Sequence, residues 1–328
     1  MTIHQLSAAE LESEAEAIDQ AVCQTPDVDR FCSSSLWVLP AWQAFLPDHR
    51  LWALRGSEGY TLLAVGEDKG LGTYVHPLEA SWALACPFLG KDARAVAGEF
   101  VELSLTTPLK WDILFLSGIR PDSVHFHTLL RGYRGHYSLG LGPSSRRCIA
   151  SLEGGIDGYM QRRSAKFRRN VRRADRRARE AGMESELYRC ATAEECSLLL
   201  ERALAIEAKS WKGNLDTGII NSPMEEFYQN MLPRLSRRGS LRFLFLTLHG
   251  VDVAYCFGAV FDGGFRGLQM SFVDEYKDHS PGSLAQFWMI ESLCEEGINS
   301  YDLGSDMEYK KDWSEETMET LAVVVRRS

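Results

Sequence analysis

Three apolar runs between residues 241 and 273 constrain the fold of this chain more than any other feature. Leu241–His249, Val251–Phe261 and Gly264–Val273 are each long enough for a strand, and they are joined by His249-Gly250 and by Asp262-Gly263-Gly264. Such short glycine-bearing links connect antiparallel neighbours, so the segment reads as a three-stranded meander. Helical patterns flank it on both sides, which places the meander at the centre of an α+β unit.

Ahead of the meander the sequence predicts a long basic helix (Ile156–Ala181) ending at Gly182, then a strand near Met183–Cys190. A helix Ala193–Lys209 follows, with Thr192 as its cap and Glu195 at the capping-box position. A loop with Gly213, Gly218 and Pro223 leads to a helix Met224–Ser236. Behind the meander, Pro281 and Gly282 open a helix Ser283–Glu296 that Gly297 closes. Then come a strand Ser300–Leu303, a loop or short helix Ser305–Lys311 and a last strand Met318–Arg326.

The first half reads in a similar order. A helix over residues 8–24 and a short one within Ser33–Leu46 precede strands at Leu51–Arg55, Tyr60–Gly66, Leu71–Pro77 and Trp82–Ala85. A helix Asp92–Thr106, a strand Trp111–Leu116, a helix Ser123–Gly132 and a strand pair Tyr137–Leu141 and Arg147–Leu152 complete it. We therefore expect two related α+β domains in tandem, 1–152 and 153–328, each a mixed, mostly antiparallel sheet flanked by helices.

Charge is unevenly spread. The net charge is −9, yet Arg162–Glu180 holds ten basic residues against two acids, so the remainder stands at −17. One basic element on an acidic protein points to a local anionic contact and not to a general nucleic-acid coat. The first 30 residues carry acids and no apolar run, which predicts no secretory leader and a cytoplasmic location. No window approaches the ~18 apolar residues of a membrane span. The eight scattered cysteines read as small buried hydrophobes, and His125 and His127 diverge on a helix, so no metal site is expected. Oligomeric state is open.

A strand running through Val273 into Asp274–His279 and then Ser280-Pro281-Gly282 is the main candidate site. A helix N-terminus offers unpaired N–H groups to a pyrophosphate, Gly282 permits close approach, and Ser280 and Ser283 add hydroxyls. An ordinary capped helix start is the bland alternative.

The second half resembles the GNAT acyltransferase superfamily, in particular the subgroup related to CelD/BcsL cellulose-biosynthesis proteins and to the Fem peptidyltransferases. The resemblance rests on Ser164-x-Lys166-x-Arg168-Arg169-x-Val171-Arg172-Arg173 with Gly182, and on Glu207-x-x-Ser210-Trp211-Lys212-Gly213. It continues through Asp274-x-Tyr276-x-x-x-Ser280-Pro281-Gly282-x-Leu284 and Tyr301-Asp302-Leu303-Gly304 to Tyr309-Lys310-x-x-Trp313. It implies an acyl-CoA donor with pantetheine near Val273 and pyrophosphate at the amides of Ser280, Gly282 and Ser283. The usual fingerprint at that turn has more than one glycine, whereas Asp278–Ser283 has one.

By the same resemblance Tyr309 would protonate the departing thiolate, and Lys310 would stabilise an oxyanion or phosphate. Their bland roles are a rim aromatic and a stem packed on a ring. Asp274, Glu207 and Asp302 are the candidate bases, Asp274 doubling as a turn cap and Asp302 as a site-lining residue. The acceptor, a small molecule or a peptide, would meet a groove with Trp211, Lys212, Tyr228, Tyr255, Gln269, Asp302 and Arg169.

For the basic helix 162–179 four readings stand: a solvated face with ion pairs, a contact to coenzyme A phosphates or an anionic acceptor, docking of an acyl carrier protein, and a tRNA backbone contact, since Fem relatives use aminoacyl-tRNA. The functional expectation is an acyl-CoA-dependent N-acyltransferase. An aminoacyl-tRNA-dependent transferase and a non-catalytic binding module with a degenerate fold are the alternatives.

Overall fold

The computed structural model describes residues 3–189, 192–210 and 218–327. The chain divides into two compact units, one of Met1–Ser145 with Glu319–Ser328 and the other of Arg146–Met318. The expected single cut at 152 thus differs from this division at both ends. The C-terminal strand belongs with the first unit.

In the first unit, β1 (His4–Leu6), α1 (Ala8–Ser13), α2 (Ala15–Gln24), α3 (Arg30–Ser33) and α4 (Ser35–Phe45) precede the strands β2 (Arg50–Arg55), β3 (Tyr60–Asp68), β4 (Gly72–Pro77) and β5 (Phe88–Leu89). Then follow α5 (Ala93–Thr106), β6 (Ile113–Ile119), α6 (Val124–Tyr133) and β7 (Ser138–Ser151). The sheet runs β1-β2-β3-β4-β6 and on to the C-terminal strand Glu316–Arg326, with β4 and β6 parallel. The predicted strand at 82–85 is absent; the short β5 lies against the start of β3 instead. Glu14 interrupts the predicted helix 8–24, separating α1 from α2. The core packs Trp111, Phe100, Phe88 and Leu114 with Leu321, Val323 and Val325 of the C-terminal strand.

One strand, β7, replaces the predicted pair around Gly142-Pro143. Glycine here marks close packing and not a turn: a Cβ on Gly142 would sit 3.0–3.1 Å from Ala322, Phe115 and Val324.

The second unit contains α7 (Gly155–Gln161), α8 (Ala165–Glu180), β8 (Met183–Tyr188), α9 (Ala193–Glu207), α10 (Pro223–Arg237), β9 (Leu241–Leu248), β10 (Val251–Phe261), β11 (Gly264–Phe272), α11 (Pro281–Glu295) and β12 (Ser300–Ser305). The predicted basic helix is broken in two. Ser164 caps α8 by accepting from the Phe167 N–H, while Arg168 donates to the carbonyl of Arg163 at 2.6 Å and closes the turn between the helices. Thr192 and Glu195 form the expected capping box on α9.

The meander forms as read, within the order β12-β11-β10-β9-β8, and residues 147–151 at the end of β7, which belong to this unit, pair with β12. Residues 253–259 of β10 are buried without alternation, because helices cover both faces. Phe243, Phe245, Tyr255 and Phe257 stack on one face, where Tyr228 of α10 meets Phe257 edge-on at 5.1 Å. Leu244, Leu246, Ala254 and Cys256 point to the other face and join Phe167, Val171, Ala174 and Ala178 of α8 with α11. Burying Phe167 and Val171 contributes roughly 1.5–3 kcal/mol each, which docks a helix whose other faces are almost wholly charged.

Candidate active site

The site begins where two neighbouring strands part. β11 and β12 are parallel, but only Gly264, Phe265 and Arg266 face Ser300, Tyr301 and Asp302. β11 continues to Phe272 without a β12 partner among the described residues, so the two strands part in a wedge. Past Val273 a 3-10 turn, Asp274–His279, carries the chain to α11.

Ser280 holds a left-handed conformation, φ 57°, and this reversal aims the first turn of α11. Pro281 has no N–H, and among the described residues the N–H groups of Gly282 and Ser283 meet no acceptor. Two donors therefore stand free at the positive end of a 15-residue helix. Gly282 is required by packing as well: a Cβ there would lie 2.9 Å from the Phe272 ring and 3.3 Å from the Met270 sulfur. Beside the turn, Arg177 of α8 lines a shallow hollow with Asp278 and His279.

After β12 a second 3-10 turn, Glu308–Asp312, carries Tyr309 and Lys310. Tyr309 is half exposed. The burial of its ring, with Cys256 and Cys148 nearby, raises its hydroxyl pKa, so it remains protonated at neutral pH. Tyr301 is buried and its hydroxyl lies 3.7 Å from the Cys256 sulfur. Lys310 donates from Nζ to the Ser305 carbonyl at 3.0 Å and stands 5.8 Å from the Tyr309 ring centre, pinning the turn to the end of β12. Trp313 is an anchor, edge-on to Phe167 at 4.8 Å.

The carboxylates differ sharply. Asp274 starts the first 3-10 turn, and its N–H donates to the Lys209 carbonyl at 3.2 Å, so it stands where β11 ends beside the end of α9. Glu207 is 0 % exposed, accepting from the Tyr255 hydroxyl at 2.6 Å and from the Ile219 N–H. The partners of Glu207, one of the candidate bases, are thus Tyr255 and the Ile219 N–H, and both of its oxygens brace the fold.

Asp302 accepts from Arg147 at 2.5 Å, Arg266 at 2.6 Å and the Gly304 N–H at 2.8 Å. Burial pushes its carboxyl up, but the two guanidiniums outweigh that and hold it below its ordinary value. Asp302, partly buried, is thus the centre of an ion-pair network with Arg147 and Arg266. Tyr228 and Tyr255, expected along a groove, are buried at 2 % and 0 % exposure. Gln269 hydrogen-bonds Tyr228 from β11. Trp211 and Lys212 lie outside the described residues.

Arg169 is exposed on α8, in a groove it lines with Arg168, Arg172, Arg173 and Arg176. Arg162 and Arg163 pair with Glu315, Arg176 with Glu180, and Arg179 with Asp175 and Glu291. Among the described residues Lys166, Arg169, Arg172, Arg173 and Arg177 form no ion pair, so the solvated face is only partly neutralised. Sequence reading missed the braces Tyr255 and Arg147, which lie 48 and 155 residues from their partners; no local pattern could reveal them.

Parting parallel strands, a helix N-terminus at the wedge and a tyrosine beyond it agree with one comparison above all. Residues 165–311 match the family model of the acetyltransferase (GNAT) domain. That span takes in most of the second unit, including the wedge, the turn at Ser280 and both Tyr309 and Lys310. Solved structures similar over nearly the whole chain include a conserved protein of unknown function from Bacteroides thetaiotaomicron (13% identity, TM-score 0.67, 99% of this chain and 100% of that one). FemX (12%, 0.66, 98% and 97%) and L-PGS from Bacillus licheniformis (13%, 0.59, 99% and 93%) are similar too. At such identities the likeness shows the fold. No curated protein matches the sequence. The fold is α+β, mostly antiparallel strands with helices against them, and the GNAT match falls within the second unit. Among the described residues no helix is long and apolar enough to cross a membrane, and no group of His, Cys, Asp and Glu is placed to hold a metal.

Proposed function

We propose that the second unit transfers an acyl group from coenzyme A to an amine of a small polar molecule or a peptide. The free N–H groups of Gly282 and Ser283, at the start of a helix entered from the β11/β12 wedge, carry this reading. They suit a pyrophosphate, while the parting of β11 from β12 makes room for the pantetheine arm, with Val273 at its end.

In the transfer the amine attacks the thioester carbonyl, a C–N bond forms, the C–S bond breaks and the thiolate leaves. Tyr309, protonated at neutral pH, gives the leaving sulfur its proton. Lys310, tethered beside it, places a positive charge near the developing oxyanion. Asp274 is the carboxylate assigned to receive the amine proton, directly or through water. The part of a CelD/BcsL-like subgroup in this reading rests on the quoted motifs.

Titration with acetyl-CoA and longer acyl-CoAs, followed by melting temperature, tests the donor. A ligand at a hundred times its Kd stabilises by about 2.7 kcal/mol. If no acyl-CoA raises the Tm at millimolar concentration, coenzyme A is not the donor.

One observation favours a second donor, an aminoacyl-tRNA: the unpaired Lys166, Arg169, Arg172, Arg173 and Arg177 present a phosphate-binding face. Binding of tRNA that weakens steeply with salt, without competition from acyl-CoA, supports that alternative.

A further inference from the structure

The two faces of the first unit's sheet are unequally covered. Side chains alternate along a strand, and Val75, Leu114, Leu116, Val323 and Val325 fill the core on one face. On the other face Tyr74 and His76 of β4, Ile113 and Phe115 of β6 and Val324 of the C-terminal strand are only half-buried. They line a cavity of about 800 Å³, together with Phe45 and Leu46 at the end of α4. Leu71 and Leu141 line it too, and at 50 % and 63 % exposure they are among the most exposed large hydrophobic residues of the chain. An apolar concavity of this size has the dimensions of a small-molecule site.

Strand register gives the cavity a direction. Tyr74 pairs with Ile113 and Ile113 with Arg326, so these three form one cross-strand row, and Phe115 with Val324 belongs to the next. Farther along β6, Ser117 lies at the opposite end with Glu79. From Ile113 to Ser117 the strand rises about 13 Å, the length of an extended chain of about ten carbons.

The two ends differ in charge. Arg326 is exposed, forms no ion pair among the described residues, and is the one lysine or arginine in the lining. Its neighbour Arg327 turns to the opposite face, over the Trp111 ring at 4.5 Å. Asp68, which together with burial raises the Tyr74 pKa, is held by the N–H groups of Gly70 and Leu71 at 2.7 and 3.0 Å. Glu79, the sole acid of the lining, is 1 % exposed and accepts from the Leu84 N–H at 2.9 Å and from Ser117 Oγ at 3.1 Å. Burial pushes its pKa up to about 8, so it is neutral near pH 7. Burial, with His49 adjacent, lowers the His76 pKa to about 4, and that ring is neutral as well. One end therefore offers an unpaired guanidinium, and the other is closed by uncharged, buried groups.

We propose that this cavity binds a single aliphatic chain of about ten carbons with an anionic head, the head at Arg326 and the chain along Ile113, Phe115 and Val324. A cationic head would meet Arg326 unfavourably, and a neutral one would leave it unused. The site belongs to the first unit alone and does not depend on the acyl-transfer reading.

Calorimetry on the full chain at pH 7 with decanoate, decyl sulfate, decanol, decylamine and hexanoate tests this. Decanoate and decyl sulfate are expected to bind one to one, and decylamine at least tenfold more weakly. Burying four more methylenes, at about threefold each, should make decanoate at least tenfold tighter than hexanoate. Arg326→Glu, a change of an exposed side chain, should keep the parent's melting temperature while weakening decanoate about tenfold or more and sparing decanol. Arg326→Gln should weaken decanoate about threefold. Leu141→Glu, at an exposed position of the lining, should weaken decanol as well. Decylamine binding as tightly as decanoate, decanoate insensitive to both changes at Arg326, hexanoate matching decanoate, or saturation only at many molecules per chain would each overturn the proposal.

Discussion

At the scale of single residues, burial decides which titratable groups can act. Glu79 shows this for stability. With a folded pKa near 8 against an ordinary 4.5, the native protein keeps a proton that the unfolded chain gives up. Stability is unaffected by this group below about pH 4.5, falls as pH rises from there and levels above pH 8, the reverse of a salt-bridged carboxylate. Glu79→Gln keeps the neutral form's shape, so its melting temperature should exceed the parent's at pH 8–9 and approach it at pH 5. Parallel Tm curves between pH 5 and 9 would refute that assignment. Tyr309 shows the same logic for chemistry. Its hydroxyl is raised by burial and still reachable, so Tyr309→Phe should lower kcat roughly 10²–10⁴-fold with little change in melting temperature. An unchanged kcat would remove Tyr309 as the proton donor.

Among the secondary-structure elements, the parts legible in sequence were those with local causes. The meander, the Thr192 capping box and the Pro281 helix start depend on turn and cap residues a few positions apart, and each forms as expected. The helix break at Ser164 and the continuity of β7 through Gly142 were not legible, because side chains distant in sequence decide them. Glu315 draws Arg162 and Arg163 off the helix, and Ala322 and Val324 close over Gly142. The candidate site divides in the same way. Ser280, Gly282 and Ser283 follow from a local motif, whereas Glu207 is closed off by Tyr255, and Asp302 is engaged by Arg147 and Arg266. α8 yields a prediction at this scale. Its buried stripe, not its arginines, docks it, so Arg169→Glu with Arg173→Glu should leave the melting temperature within about 1 °C while abolishing any binding of polyanions such as tRNA. A large loss of stability would mean that the exposed arginines hold the helix in place.

For the whole molecule, chain order and compact units do not coincide. The first unit needs the last strand: Leu321, Val323 and Val325 fill its core, Thr320 donates to the Ala83 carbonyl at 2.7 Å, and the strand pairs with β6 from Leu321↔Ile119 to Arg326↔Ile113. A cut after residue 152 would leave β6 as an open edge over an unfilled core, and three lost core side chains alone cost several kcal/mol, comparable to a domain's total stability of about 5–15 kcal/mol. The 1–152 fragment should therefore be unfolded or aggregated by circular dichroism and light scattering. The second unit has its core complete within residues 148–313 and carries the GNAT match. A 146–318 fragment should fold, melt cooperatively and keep acyl-CoA binding. Adding the C-terminal strand back to the first fragment, as residues 1–145 joined by a flexible linker to 316–328, should restore a cooperative transition. A folded 1–152 fragment would show that the C-terminal strand is dispensable to the first unit.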